Sequence, residues 1–251
     1  MGGNVYMAYK LKELDFKLRE YPNIRNNMLN HSIFNRFLEM ATNEQLDFCE
    51  NFFSDDVSVL FNDSNAGTGK TFCSVACAYA DYLNHGKEIT FVMSPVAEIL
   101  GSRPGSQAEK ELDYFSGLHD ALLDLNLRPE QVVRNLLELD DNIDKNKLGE
   151  AFVTQTTHVF LRGSNISNCT LIVSESQNFT KSELKKVLTR VHDSSKVIVE
   201  GHRMQIDLKN EDKSGFVPYQ EHFKNFDGAS FHNFTRNFRG KLAQFADEFS
   251  W

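Results

Sequence analysis

Cysteine is scarce in these 251 residues, with four in all (Cys49, Cys73, Cys77, Cys169) and none in a Cys-x-x-Cys pair. That spacing excludes a disulfide framework and a zinc knuckle, and it predicts reduced thiols buried as small core residues. The eight histidines form no His-Glu-x-x-His or His-x-His arrangement, so no protein-only transition-metal site is expected. No stretch approaches the roughly 18 to 20 uninterrupted apolar residues of a membrane helix. The opening Met1-Gly2-Gly3-Asn4-Val5-Tyr6 has neither the apolar core of a signal peptide nor a myristoylation pattern. The expected address is the cytoplasm, with no membrane partner. Net positive charge is lacking too: the formal charge is −8, against a bulk attraction to nucleic acid, and leaves room only for a local basic groove.

What remains is 41% hydrophobic and 25% charged residues, the make-up of a globular chain with a core to bury. Residues 1–53 read as a helical extension. Tyr9, Leu11, Leu14, Phe16 and Leu18, interleaved with Lys10, Lys12, Lys17 and Arg19, suggest one amphipathic helix. Ile33 through Phe53 suggests one or two more, with Pro22 as the break between.

From residue 57 short β-branched runs alternate with helical stretches. The expected strands are Val57–Phe61, Ile89–Met93, Thr170–Val173 and Val197–Val199. The expected helices are about Lys70–Leu83, Gln107–Leu125 and Lys181–Val191. That alternation predicts an α/β domain over residues 54–251, a parallel sheet with helices on both faces. Glu138–Lys147 reads as a charged surface excursion.

Ser64-Asn65-Ala66-Gly67-Thr68-Gly69-Lys70-Thr71 follows a strand and opens a helix, the context in which this pattern makes a phosphate loop. The glycines let the chain curl so that successive N–H groups face one anion, and the helix terminus adds partial positive charge. Lys70 can bridge the β- and γ-phosphates, and Thr71 offers a hydroxyl to Mg²⁺. Asn65, Ala66, Gly67, Thr68, Gly69, Lys70 and Thr71 are therefore the candidate nucleotide-binding residues.

Leu171-Ile172-Val173-Ser174-Glu175 is an apolar strand running into an acid, at the end of a sheet where ligands bind. Glu175 stands where a general base would activate water. Ser174 stands where a carboxylate associated with the metal would be; it can hydrogen-bond a metal-bound water but supplies no negative charge. Gln205, in Gly201-His202-Arg203-Met204-Gln205, can read a γ-phosphate or orient water through an amide that both donates and accepts.

Together these blocks resemble the PhoH family of P-loop NTPases, related to the motor core of superfamily-one helicases. The resemblance runs from about Gln45 to Phe245. It is carried by Asn65–Thr71, Ser94-Pro95-Val96-Ala97-Glu98 with Leu100-Gly101 and Pro104-Gly105, Leu161-Arg162-Gly163, Ile172–Asn178, Leu188-Thr189-Arg190 and Gly201–Leu208. It implies a RecA-like fold and an ATP- and Mg²⁺-dependent core in which Lys70, Thr71 and Glu175 do the chemistry and Gln205 senses the γ-phosphate. It also implies ring-like homo-oligomers, a hexamer among the conceivable rings. In such a ring an arginine from the neighbour completes the charge cage, and the candidates are Arg162, Arg190 and Arg239. Gln45 resembles the upstream glutamine that reads adenine in related motors.

Four residues depart from the pattern: Ser64 for Gly, Ser94 for Arg, Ser174 for Asp and His202 for Asp. Two missing carboxylates predict an active but slow ATPase. The alternative is a nucleotide-responsive assembly module that does not turn ATP over. Action on RNA or single-stranded DNA would use the Pro95–Glu109 loop, which holds Arg103 but no aromatic residue for base stacking. A nuclease lacks a separate acid cluster, and a small-molecule kinase lacks a visible acceptor pocket.

Overall fold

Alternation along each strand decides which side of the sheet a residue faces. In the computed structural model, which describes residues 11–94, 113–137, 149–161, 165–242 and 245, six parallel strands form one sheet in the order β3-β2-β4-β5-β1-β6. They are β1 (Val59–Asp63), β2 (Glu88–Met93), β3 (Val153–Thr157), β4 (Cys169–Val173), β5 (Lys196–Gly201) and β6 (Ala229–His232). Leu60, Ile89, Phe91, Val153, Ile172 and Ile198 belong to one buried cluster. Their neighbours Val59, Phe61, Val92, Leu171, Val173, Val197 and Val199 belong to another on the opposite face. The expected α/β architecture with both faces covered is the one observed.

Each face has its own helices. The first is covered by α1 (Asn43–Phe52), α2 (Lys70–His85) and α3 (Ser116–Asp124). The second is covered by α4 (Lys181–Leu188) and α5 (Phe216–Phe223). The N-terminal segment packs into the first cluster: Leu18, Ile24, Met28, Phe34 and Leu38 are fully buried there beside the strand residues. Each such side chain contributes about 2 kcal/mol by leaving water. The four cysteines are free and buried; burial pushes the Cys73 and Cys77 thiols well up from their ordinary value.

The sequence reading missed β3 and β6, the two edge strands. Val153-Thr-Gln-Thr-Thr is polar on its half-exposed side, and no residue of β6 is fully buried, so neither shows a long apolar run. β1 starts at Val59, two residues later than expected. The helix expected at Gln107–Leu125 is seen as a 3-10 turn at Asp113–Phe115 followed by α3, and its first residues lie outside the described region. The Glu138–Lys147 excursion also lies outside it. No helix among the described residues is long and apolar enough to cross a membrane.

One topological fact positions the site. β5 lies between β1, which feeds the phosphate loop, and β4, which runs directly into Ser174. The carboxyl ends of all three strands meet at the start of α2.

Candidate functional site

Two glycines bend the loop. Gly67 and Gly69 hold φ of 75° and 81°, the left-handed region that costs other residues about 1 kcal/mol or more. Gly69 is the N-cap of α2, so the helix terminus opens directly onto the loop. Ser64 does not take positive φ, which is why serine is tolerated where the family pattern has glycine. Its buried hydroxyl donates to Asn62 Oδ1 and accepts the Phe234 N–H at 2.7 Å, joining the end of β1 to the chain beyond β6. Thr68 Oγ1 and Lys70 Nζ both donate to the Asn65 carbonyl, at 2.8 and 3.3 Å.

Gln45 braces this loop from α1. Its Oε1 accepts the Thr42 N–H at 3.1 Å in a capping box, and its Nε2 donates to the Thr68 carbonyl at 3.0 Å. Buried in this way, it positions the loop backbone while also lining the cavity above it.

Behind the loop sits a carboxylate to which the sequence reading assigned no role. Glu200, the fifth residue of β5, is fully buried. Its Oε1 accepts hydrogen bonds from Thr71 Oγ1 at 2.7 Å and Ser174 Oγ at 2.8 Å, and its Oε2 accepts one from Ser74 Oγ at 2.6 Å. Thr71 and Ser74 reach it from one face of α2, three residues apart. Burial pushes the Glu200 carboxyl up from its ordinary value; the hydrogen bonds from Ser74 and Thr71, the Lys70 charge and the Ser174 hydroxyl pull the other way without cancelling it. The available signal was an apolar strand, Val-Ile-Val, ending in an acid. What the sequence did not show was that β5 inserts between β1 and β4.

Glu175 follows β4 with φ 50° and ψ 43°, a left-handed conformation held at a cost on the order of 1 kcal/mol. Its Oε2 accepts from Gln177 Nε2 at 2.6 Å, and Gln177 Oε1 accepts the His202 N–H at 3.0 Å. Gln177, buried, thus ties the acid to the end of β5 and is a second positioning residue missed from sequence. Asn178 repeats the link: its Oδ1 accepts the Asp207 N–H at 2.7 Å and its Nδ2 donates to Asp207 Oδ2 at 3.1 Å. The loop carrying exposed Gln205 is fastened in this way to the turn carrying Glu175.

The three arginines separate. Arg239 belongs to the same chain's own site: Phe238 N–H donates to the Gly67 carbonyl at 2.8 Å, and Asn237 Nδ2 donates to the Ala66 carbonyl at 3.1 Å. A Cβ on Gly67 would lie 2.8 Å from both Cγ and Cδ of Arg239. Within its own chain Arg239 thus lines the cavity beside the phosphate loop, held there by the Phe238 N–H and the Asn237 side chain. Arg190 donates to the Leu161 carbonyl and does not line the site of its own chain. Arg162 lies outside the described residues, as does the Pro95–Glu109 loop.

These groups border a cavity of about 810 Å³, within the roughly 300–1,000 Å³ of small-molecule sites. Its lining joins polar groups, among them Lys70, Thr71, Glu175 and Arg239, to apolar ones such as Phe37 and Phe72, with the charged Arg36, Asp120 and Asp124 also present. Such a mixed lining suits a ligand with a charged tail and a flat, less polar head. Among the described residues no group of three or more His, Cys, Asp or Glu side chains gathers as metal ligands, so a divalent ion here would depend on the Thr71 hydroxyl and on ligand oxygens. The Thr71–Glu200–Ser174 cluster suits that use. Of the other departures from the family pattern, Ser94 is buried at the end of β2, and His202 is buried with Nδ1 lacking a partner among the described residues.

The family model described as PhoH-like protein matches residues 37–246. A PhoH-like protein of Synechocystis sp. is 34% identical over 176 residues, covering 69% of this chain and 50% of that protein. One from Bacillus subtilis is 31% identical over 175 residues, covering 68% and 51%. The protein PhoH of Escherichia coli K12 is 29% identical over 177 residues, covering 66% and 45%. The chain spans about half the length of these curated relatives. Among solved structures, the Pyrococcus furiosus Hef helicase domain aligns with a TM-score of 0.46 at 12% identity, over 81% of this chain and 40% of that one.

Proposed function

The chain belongs to the PhoH-like family, and from that premise we propose that it binds ATP with Mg²⁺ at the phosphate loop and hydrolyses the γ-phosphate. The observation that carries this reading is the convergence of Lys70, Thr71, Glu175, Gln205 and Arg239, from four separate segments, on one cavity.

Each residue's part follows from its chemistry. The N–H groups around Gly67 and Gly69 and the terminus of α2 hold the phosphates. Lys70, released from the Asn65 carbonyl, takes up the β- and γ-oxygens. Mg²⁺, when bound, neutralises phosphate charge, and Thr71 is the side chain that would hold it. Glu175 accepts the proton of the attacking water through the oxygen that Gln177 does not anchor, and Gln205 aligns that water or reads the γ-phosphate. Arg239 supplies the guanidinium that stabilises equatorial phosphoryl oxygens from within the same chain. In this arrangement a homo-oligomeric ring is not needed to complete the charge cage. Gln45 contributes by fixing the loop, and as a residue of the cavity lining it is the candidate to read the base.

The test is steady-state phosphate release with ATP and Mg²⁺ against Glu175→Gln, with and without single-stranded RNA or DNA. Release that falls at least about a hundredfold in the variant supports Glu175 as the base. Binding of ATP without release above the variant would favour the nucleotide-gated assembly module. Stimulation by a single strand would tie turnover to nucleic acid.

A further inference from the structure

Ser174 leaves the site without the carboxylate that the family pattern places on β4. The structure has a carboxylate within hydrogen-bond distance of it, on the neighbouring strand. Val173 pairs with Val199, so Ser174 and Glu200 are the next residues along two hydrogen-bonded strands. Ile172 and Ile198 share the buried face beneath α2, and by alternation Ser174 and Glu200 project from that same face. Glu200 Oε1 accepts the hydrogen of Thr71 at 2.7 Å and that of Ser174 at 2.8 Å.

Two consequences follow from that geometry. With their protons committed to Glu200, both hydroxyl oxygens are left with lone pairs for a cation or for water bound to it, and both residues line the cavity. The negative charge lies one hydrogen bond behind them and is fully buried. A carboxylate buried so deeply is costly even with the Lys70 charge acting on it, and a divalent ion in front of Thr71 would offset that cost.

We propose that Glu200 is the charge-bearing positioning residue for Mg²⁺ in this protein, replacing through Thr71 and Ser174 the carboxylate missing from position 174. Metal charge compensation has moved from β4 to β5. The two missing acids therefore do not leave the site short of negative charge at the metal. This inference rests on the nucleotide-binding reading above.

The experiment measures affinity for a non-hydrolysable ATP analogue in Mg²⁺ and in EDTA, and takes the ratio of the two as the gain due to metal. The wild type should show a gain of about tenfold to a hundredfold, the range over which ligand-orienting groups act on metal affinity. In Glu200→Gln the gain should fall close to one. In the double variant Ser174→Asp, Glu200→Ser, which returns the carboxylate to β4, the gain should recover. The double variant also decides the matter if Glu200→Gln fails to fold. A wild-type gain retained in Glu200→Gln, or a folded double variant with no gain, overturns the proposal and leaves the nucleotide site standing. A wild type that binds no analogue in either condition overturns both.

Discussion

Restoring the glycine at position 64 should weaken this protein. Ser64 is fully buried, and its hydroxyl ties β1 to the chain beyond β6: it accepts the Phe234 N–H at 2.7 Å and donates to Asn62 Oδ1. Removing it strands a buried backbone N–H, a loss of about 1–3 kcal/mol. Asn62 loses the donor to its Oδ1, and its Nδ2 already lacks a partner among the described residues, which adds about 1 kcal/mol. Glycine further raises the entropy of the unfolded chain by roughly 0.5–1 kcal/mol relative to alanine. Ser64→Ala should therefore cost about 2–4 kcal/mol and Ser64→Gly somewhat more. At about 2–4 °C per kcal/mol for a chain of this size, the melting temperature should drop by roughly 5–15 °C. Urea unfolding followed by circular dichroism reads both variants. A loss below about 0.5 kcal/mol in each, the level of an ordinary surface change, would refute the argument that the hydroxyl joins β1 to the chain beyond β6.

Three further outcomes are expected. Burial lowers the His232 imidazole from 6.5 to about 4, partly opposed by Asp47, so the folded state refuses a proton that the unfolded chain accepts. Its contribution is intact above pH 6.5 and lost as pH falls towards 4, by about 3 kcal/mol; His232→Gln should flatten that part of the stability profile, and an unchanged slope would count against the burial argument. Arg239→Ala should abolish turnover in a way that mixing with Glu175→Gln protein does not rescue, because both groups serve one chain's site; recovered activity in the mixture would mean that the arginine acts on a neighbour. Gln177→Leu should lower phosphate release about tenfold to a hundredfold at nearly constant ATP affinity, since it frees Glu175 without touching the phosphate loop. A parallel fall in affinity would place the effect in folding instead.

The central strands were legible because burial on both faces forces β-branched runs, as in Val-Ile-Val of β5 and Leu-Ile-Val of β4. The phosphate loop was legible because glycine at 67 and 69 answers to a backbone requirement that few other residues meet. The edge strands were not: β3 buries polar Gln155 and Thr157 beside Val153, and no residue of β6 is fully buried, so neither shows an apolar run. That Gln45 also holds the loop and its own helix cap through both ends of its amide needed the packing of α1 against the loop. Glu200, Gln177 and the placement of Arg239 over its own chain's loop were hidden for a common reason. Each depends on which strands are neighbours, and the order β4-β5-β1 places residues 71, 174 and 200 together without any local pattern to announce it.

The most direct measurement of the central claim, that a nucleoside triphosphate occupies this loop, is the affinity for ATP of the wild type and of Lys70→Ala by calorimetric titration, with folding of both checked by melting. The account predicts saturable binding in the wild type and a loss of at least about tenfold in the variant, because a charge-assisted contact to the phosphates contributes about 1.5–3 kcal/mol. Equal affinities in two folded proteins would contradict it.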